Sequence, residues 1–416
     1  MTREMTAAKP NTYLRGLGSQ ERFFWRYAQR NPGHFVLAAE FDLNLDARRV
    51  RDALDAVQRR HTLLSAHVED DPELRLGFYR NDTVAPITLT CHLDLTEDWQ
   101  VIAADELTRP LDRSAAPFVR AALLTKGEQS TLLLTFDHVI ADGISALLVL
   151  NDLLVALNGQ ALAPLELPIS VEDLVSRRLG PPQGTVSLEA GDPRIAAPTS
   201  FRPFDATPQH LHRVQMSRAE TERLIARCRA EGTTVHAAIV VAASVVRSAE
   251  SAEEFVRTYS PINVRDFLGQ RAGSCVCIGG ALTGMTPGDG TPFWSQARQV
   301  SNQLNAARSA AGLAAGSAIA EQLLPIDADC DAAEHFFRTV LPFELAITNL
   351  GVQDFPRIGP VRPRAVWGPM VLTQVEREYV TGIVTYGGQL RMVTCGHSPT
   401  AGFLERVREM LLGIGS

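Results

Sequence analysis

His138, Asp142 and Gly143 are the residues whose types and spacing could carry out chemistry. They stand in the segment TFDHVIADGIS, between an apolar run that ends at Phe136 and an apolar helical pattern that begins at Ile144. This pattern predicts an imidazole at the end of a strand and a carboxylate four residues later, in a turn. Because an imidazole titrates near neutral pH, a carboxylate that holds it in place could make it a general base.

Other roles are open for the same residues. His138 and Asp142 could ligate a metal, but a strand followed by a turn does not stack residues four apart on one face as a helix does. His138 could also be a core histidine with satisfied hydrogen bonds. Gly143 could allow a sharp turn, allow a substrate to approach closely, or simply begin the helix.

Several well-known catalytic motifs are missing from the sequence. It contains no G-x-S-x-G, G-x-x-x-x-G-K-[ST], G-x-G-x-x-G or H-E-x-x-H segment. These absences argue against serine hydrolases, P-loop enzymes, dinucleotide-binding enzymes and zinc proteases. We therefore expect no metal and no bound cofactor.

Length and composition favour a globular protein of two domains. The chain has 416 residues, of which 45% are hydrophobic and 21% are charged. A single hydrophobic core rarely grows to this length. The net charge of −7 argues against binding to nucleic acid.

The sequence also bears on the compartment. No apolar run approaches the roughly 20 residues that span a membrane, and the N-terminal residues lack the apolar core of a signal peptide. The six cysteines are scattered apart from Cys275 and Cys277, and they form neither a disulfide framework nor a zinc pattern. We expect a cytoplasmic protein.

Periodicity predicts the main elements. Helices are expected at 47–60, 144–157, 218–231, 236–248 and 293–324, and strands at 119–125, 130–136, 344–348, 371–376, 379–386 and 389–395. Prolines punctuate the middle of the chain, where regular structure cannot continue. The predicted organisation is an N-terminal domain at 1–175, a Pro-rich connector at 176–208 and a C-terminal domain at 209–416.

The segment 131–154 resembles the H-H-x-x-x-D-G signature of the condensation-domain superfamily of acyltransferases, with Asp137 in place of the first histidine. That superfamily includes condensation domains of peptide synthetases, chloramphenicol acetyltransferase, and polyketide-associated acyltransferases similar to phthiocerol dimycocerosyl transferase. Further segments resemble family motifs in the same order along the chain: 54–64, 111–120, 232–238, 261–265 and 348–351. Trp367 and Gly368 keep only part of the D-F-G-W-G motif of condensation domains, which favours a stand-alone acyltransferase.

The resemblance implies the fold and the position of the site. It implies an α/β fold of two chloramphenicol acetyltransferase-like domains arranged as a V-shaped pseudo-dimer. His138 would lie in a channel between the domains as the general base. Asp142 would pair with Arg265, in the P-x-N-x-R segment, to fix the turn that carries His138.

Three further residues are candidates for the channel or for stabilising an oxyanion, beside the Gly143 N–H group. Thr348 and Asn349 could donate hydrogen bonds to the oxyanion, or could cap a turn. Trp367 could line the channel or lie in the core. His61 matches a family motif and is expected to support the fold.

The function that the resemblance implies is acyl transfer to a hydroxyl in polyketide, lipid or natural-product synthesis. The donor would be an acyl-CoA or a phosphopantetheinyl carrier-protein thioester, and the partner an acyl carrier protein or a polyketide or peptide synthase. The arginines of helix 47–60 could dock an acidic carrier, although a solvated helix face is the simpler interpretation. Amide formation by a free-standing condensation enzyme, and a silent carrier-binding homologue, are the alternatives.

Overall fold

The computed structural model describes residues 11–73, 75–81, 83–181, 192–251 and 253–413. Residues 182–191 of the predicted connector lie outside this part of the chain. So do residues 1–10, on which the expectation about a signal peptide partly depends. The division into two domains and a connector stays a prediction.

The N-terminal half alternates strands and helices, as the periodicity predicts. Its elements in chain order are β1 (Thr12–Gly16), α1 (Ser19–Tyr27), β2 (Phe35–Phe41), α2 (Ala47–Arg60), a 3-10 turn (Thr62–Ser65), β3 (His67–Asp71), β4 (Arg75–Arg80), β5 (Thr88–His92), α3 (Trp99–Thr108), β6 (Val119–Lys126), β7 (Gln129–Phe136), α4 (Gly143–Leu157) and α5 (Val171–Leu179). The hairpin β6–β7 closes over Gly127, which has a φ of 59° and so adopts the left-handed conformation that glycine favours.

The C-terminal half follows the same pattern. Its elements are β8 (His210–Gln215), α6 (Arg218–Ala230), α7 (Val235–Ser251), β9 (Val256–Asn263), α8 (Arg265–Leu268), β10 (Ile278–Met285), α9 (Phe293–Arg308), α10 (Ala310–Leu323), α11 (Cys330–Val340), β11 (Leu345–Gln353), β12 (Ala365–Val371), β13 (Tyr379–Tyr386), β14 (Gln389–Gly396) and α12 (Phe403–Gly413).

Two larger sheets organise the described residues. The first has the strand order β12-β2-β7-β6-β5 and the second has the order β10-β9-β11-β13-β14-β8. β12 comes from the C-terminal half but pairs antiparallel with β2 in the first sheet, with Trp367 opposite Ala38. The two halves of the chain are therefore joined by a shared strand as well as by packing.

Some predicted elements differ from the structure. The long helix expected at 293–324 is two helices, because the Ser309 side chain accepts a hydrogen bond from the Gly312 N–H and begins α10 anew. The strand expected at 371–376 is wrong: β12 ends at Val371, the next residues are irregular with a φ of 63° at Gln374, and Val375 forms an isolated bridge with Phe201.

No single helix in the described ranges is long and apolar enough to cross a membrane. Taken together, α6 and α7 have the length and composition of a membrane-spanning segment, but the chain bends by 99° between them. Most of α7, from Ala237 to Arg247, is buried. That burial accounts for its apolar composition as a core helix.

Candidate functional site

His138 lies in the tight turn that connects β7 to α4. Asp137 holds this turn, since its carboxylate accepts a hydrogen bond from the Val139 N–H at 2.9 Å. The same carboxylate pairs with Arg113 at 3.1 Å. Asp137 therefore shapes the turn from outside the cavity that His138 borders.

The His138 ring packs between aromatic side chains. Phe24 stacks on it with ring centroids 4.3 Å apart and planes at 7°, and the Phe35 centroid lies 4.8 Å away. The Nδ1 atom is buried and has no well-directed hydrogen bond within the described chain. Burial lowers the pKa of His138, and the carboxylates of Asp142 and Asp137 offset only part of this effect. The imidazole is therefore neutral at about pH 7, in the form that can accept a proton.

Asp142 caps α4 and belongs to a buried ion pair. Its Oδ1 accepts a hydrogen bond from the Ser145 N–H at 2.7 Å, and its Oδ2 accepts one from the Cys277 N–H at 2.8 Å. Arg265 Nη2 lies 3.1 Å from Oδ2, and neither side chain is more than 3% exposed. These donors engage both carboxylate oxygens, so Asp142 is committed to the protein and is not free to ligate a metal beside His138.

Arg265 begins α8 directly after β9 and connects the two halves of the chain. Its Nη2 also donates to Ser145 Oγ at 2.7 Å and to the Cys275 carbonyl at 2.9 Å. Ser145 Oγ donates in turn to the same carbonyl at 2.6 Å. Burial is the largest single effect and lowers the pKa of Arg265, but Asp142, together with Cys275 and Cys277, more than offsets it, so the pKa is raised overall. The pair therefore stays charged and holds the start of α4 against the segment before β10.

A cavity lies against His138, between residues from both halves of the chain, and encloses about 1050 Å³ of space, part of which is open to solvent. Most of its lining is apolar or aromatic. The lining also includes a few residues with polar groups, among them His138, Asp142, Tyr259, Asn263, Thr348 and Asn349.

Gly143 begins α4 at the wall of this cavity. An added Cβ would lie 2.7 Å from Leu350 Cδ2 and 3.4 Å from Pro369 Cγ. The φ angle of Gly143 is not positive, so the turn at this position does not require glycine. The close approach of these two side chains to the helix N-terminus is the reason that a side chain does not fit.

Thr348 and Asn349 lie on β11 and line the same cavity. Asn349 Oδ1 accepts a hydrogen bond from the Gly351 N–H at 2.8 Å, where the pairing of β11 with β13 is irregular. This bond fixes the side chain and leaves its NH₂ group as the part that can donate to a ligand.

The structure brings most of the predicted site residues together. The residues that line the one cavity are His138, Asp142, Gly143, Thr348 and Asn349. Arg265 lies behind Asp142 as its ion-pair partner. The catalytic roles of these residues stay predictions.

Trp367 is the exception, and its candidacy as a channel residue is wrong. It is 4% exposed, and its indole N–H donates to Glu40 Oε1 at 2.6 Å. The Trp99 indole donates to the same oxygen at 3.1 Å. The Arg213 guanidinium lies 5.1 Å from the centre of each indole ring. A buried indole needs a hydrogen-bond acceptor, and Trp367 finds it in this polar cluster away from the cavity.

Sequence reasoning missed α1, which carries Phe24. Phe23, Phe24 and Tyr27 of this helix all line the cavity. Glu21 in the first turn, whose side chain accepts a hydrogen bond from the Gly18 N–H at 2.9 Å, was the signal that could have located the helix. Its role at the site could not be read, because it depends on α1 packing against the β7–α4 turn.

Comparison with known proteins agrees with this geometry. Residues 19–169 match the family model of the condensation domain. Among curated proteins, phosphinothricin tripeptide synthetase PhsC from Streptomyces viridochromogenes is 30% identical over 145 residues, which cover 32% of this chain but only 13% of that much longer protein.

Solved structures match over almost the whole chain. Polyketide synthase associated protein 5 from Mycobacterium tuberculosis has a TM-score of 0.67 and 18% identity, covering 98% of this chain and 99% of that one. TRI3 trichothecene 15-O-acetyltransferase from Fusarium sporotrichioides has a TM-score of 0.68 and 12% identity, covering 96% and 95%. At such identities the likeness shows the fold, and it confirms the predicted fold class. The match of residues 19–169 to the family model confirms the predicted resemblance to the condensation-domain superfamily.

Proposed function

We propose, on the premise that this chain has the condensation-domain fold, that it is an acyltransferase that moves an acyl group from a thioester to a hydroxyl. The observation that carries the proposal is the neutral imidazole of His138, which borders the cavity between the two halves of the chain. Because Nδ1 is the buried ring nitrogen, Nε2 is the atom that would face the reactants. His138 then serves as general base.

The proposed reaction needs no acyl-enzyme. The acceptor oxygen attacks the thioester carbonyl carbon while His138 Nε2 takes the hydroxyl proton, and a tetrahedral intermediate forms. The carbon–sulfur bond then breaks, and the imidazolium returns the proton to the departing sulfur. The products are an ester and a thiol, and the imidazole is regenerated. This route is in keeping with the lack of a nucleophile motif in the sequence.

The negative charge on the intermediate needs hydrogen-bond donors in the cavity. The Gly143 N–H group at the N-terminus of α4 and the NH₂ group of Asn349 are the candidates that the geometry favours. A helix N-terminus carries a partial positive charge, so it stabilises an oxyanion. Thr348 offers a hydroxyl donor on the same wall.

Asp142 acts through position in this proposal. Arg265 and two backbone N–H groups hold its carboxylate, and it caps the helix that begins one residue later. The turn that carries His138 is thereby fixed at both ends, by β7 and by α4. The same carboxylate raises the pKa of His138 against the effect of burial.

The donor that we propose is an acyl-CoA or a phosphopantetheinyl carrier protein, with a polyketide or peptide synthase as the partner. The match of part of this chain to a peptide synthetase supports association with a synthase. We place the reaction in the cytoplasm, where the six cysteines, all free in this structure, would stay reduced.

Amide formation is the second candidate. The match of part of this chain to a tripeptide synthetase favours it, whereas the likeness of the whole chain to an O-acetyltransferase favours an ester. The same base could deprotonate an attacking amine, so the site alone leaves both acceptors open.

Paired acceptors would test the proposal. Acyl-CoA and acyl carrier-protein donors are incubated with matched alcohols and amines, and the products are identified by mass spectrometry. We expect esters from the native protein and none from His138→Ala. Amides alone would favour the condensation alternative. Carrier-protein binding without any product would favour a silent homologue and contradict the proposal.

A further inference from the structure

A second cavity adjoins the cavity at His138 and encloses about 860 Å³ of space, part of which is open to solvent. The two cavities share part of their lining, namely Phe23, Phe24, Tyr259, Ile278 and Leu341. Phe24 therefore stands in the wall between them while it stacks on His138. A group that reacts beside His138 needs only to pass this wall to reach the second cavity.

The second cavity is lined mainly by apolar side chains. Val171 and Val175 of α5, Leu313 and Ala320 of α10, and Val340 of α11 contribute to it.

Gly280 and Gly316 also line this cavity. On β10, an added Cβ at Gly280 would lie 2.6 Å from the Tyr259 hydroxyl oxygen, so only glycine leaves room for that ring. On α10, an added Cβ at Gly316 would meet no atom within 4 Å. The cavity therefore has free room beside α10.

Two polar atoms in the lining have no partner. Ser317 Oγ on α10 and Gln20 Oε1 on α1 are buried, and neither forms a hydrogen bond within the described residues. Two atoms can serve few hydrogen bonds, which points to an occupant that is mostly hydrocarbon.

We propose that the second cavity binds the hydrocarbon tail of the acyl group, so that the protein selects a medium-length or long acyl chain. This inference rests on the proposed acyl transfer at His138. The carbonyl lies at His138 and the tail runs past Phe24 into the space between α1, α5 and α10. A phosphopantetheine arm fits less well, because its two amides and its hydroxyl need more partners than Ser317 and Gln20 supply.

The size of the effect follows from the burial of methylene groups. Each buried methylene favours binding by a factor of about four. An acyl chain that places several methylenes in the second cavity should therefore have a kcat/KM at least about 100-fold above that of acetyl.

Narrowing the second cavity would test the inference. Ser317→Leu places a larger side chain in it, and Ser317→Ala is the matched control that removes only the hydroxyl. With decanoyl and acetyl thioesters as donors, we expect Ser317→Leu to lower kcat/KM for decanoyl by about 50-fold and to leave acetyl within about twofold. Ser317→Ala should keep the native ratio. Gly316→Leu, at a position where a Cβ meets no atom within 4 Å, repeats the test if Ser317→Leu does not fold.

Binding of decanoic acid, measured by calorimetry, separates this inference from the proposed function. We expect native protein and His138→Ala to bind decanoate alike, and the narrowed variant to bind it at least tenfold more weakly. If no thioester is turned over but this pattern holds, acyl transfer fails while the tail site stands. An equal loss for acetyl and decanoyl, or decanoyl-to-acetyl ratios unchanged in the folded variants, would overturn the inference.

Discussion

His61 and His138 are both buried or nearly so, yet their surroundings differ. The His61 ring has both nitrogens engaged: Nδ1 accepts a hydrogen bond from the Ser274 N–H at 3.1 Å, and Nε2 donates to Asp152 Oδ2 at 2.9 Å. His138 has a buried Nδ1 without a well-directed partner in the described chain, and it borders the large cavity.

This difference is the one that we expect between a structural histidine and the proposed general base. Two directed hydrogen bonds fix the tautomer of His61 and stabilise the fold, so no proton is free to move. An unpaired buried nitrogen costs stability, and such costs concentrate at functional sites. His138 is held by stacking on Phe24, which fixes the plane of the ring.

The largest expected effect is on turnover. His138→Ala should lower kcat by about 10²–10⁴-fold with little change in thermal stability, because it removes the base and no directed hydrogen bond. His61→Ala should do the reverse, and lower the free energy of unfolding by about 2–3 kcal/mol while most of the turnover remains. Steady-state kinetics and thermal melts on both variants check the contrast. Near-native turnover by His138→Ala would remove the general base from the mechanism.

The second effect concerns the carboxylates beside the two histidines. Asp142→Asn leaves Arg265 charged and buried, so we expect the free energy of unfolding to fall by about 3–5 kcal/mol. Asp152→Asn should cost less, about 1–2 kcal/mol, because its partner Arg60 has a side chain that is 21% exposed and keeps contact with water. Urea denaturation measures both. Equal losses would mean that burying the Asp142–Arg265 pair does not increase its contribution to the free energy of unfolding.

A smaller effect is expected at Gly143. Gly143→Ala puts a methyl group 2.7 Å from Leu350 Cδ2, so either Leu350 or the start of α4 must shift. We expect kcat/KM to fall about tenfold, since a displacement near 1 Å at a reacting centre is costly. Leu350→Val in the same chain relieves the contact and should restore part of the activity. If the double variant is no better than Gly143→Ala, the close approach of Leu350 is not the reason for glycine.

The smallest effect is a shift in pH dependence. His138 must be neutral to accept a proton, and burial lowers its pKa below about 6.5. Activity should therefore be constant above that pH and fall as the pH drops through the lowered pKa. Asp137 raises this pKa, so Asp137→Asn should move the acid limb of the kcat/KM profile to lower pH. A limb that moves to higher pH in this variant would contradict the assignment of the limb to His138.

Local patterns predicted several elements closely. α2 spans Ala47–Arg60 and β13 spans Tyr379–Tyr386, both as expected, and the hairpin β6–β7 and helix α4 differ from prediction by one residue at an end. In each of these elements the apolar residues repeat regularly over the whole length, and charged, turn-forming or glycine residues mark both ends. The predictions that failed had competing signals. The alanines on both sides of Ser309 made two helices look like one. The apolar residues after Val371 have the pattern of a strand, but the chain there is irregular.

Packing between distant segments decided the rest. Cys275 and Cys277 are the closely spaced pair among the six cysteines. They lie just before β10, where the Cys275 carbonyl and the Cys277 N–H group hold Arg265 and Asp142. The C-x-C spacing of these cysteines does not indicate that their backbone groups will contact an ion pair. The sharing of β12 with the first sheet was equally hidden, because strand order depends on long-range pairing.

The sequence by itself determined which side chains are available for chemistry: an imidazole and a carboxylate with a fixed spacing, a glycine after them, and an arginine more than a hundred residues later. The tertiary structure alone decided that Phe24 covers the imidazole, that Trp367 serves Glu40 away from the cavity, and that a second apolar cavity lies behind Phe24. The physical reason is that the periodicity of a sequence shows which face of each element is apolar. A cavity depends on how several such faces pack together, and it forms only where they leave space between them.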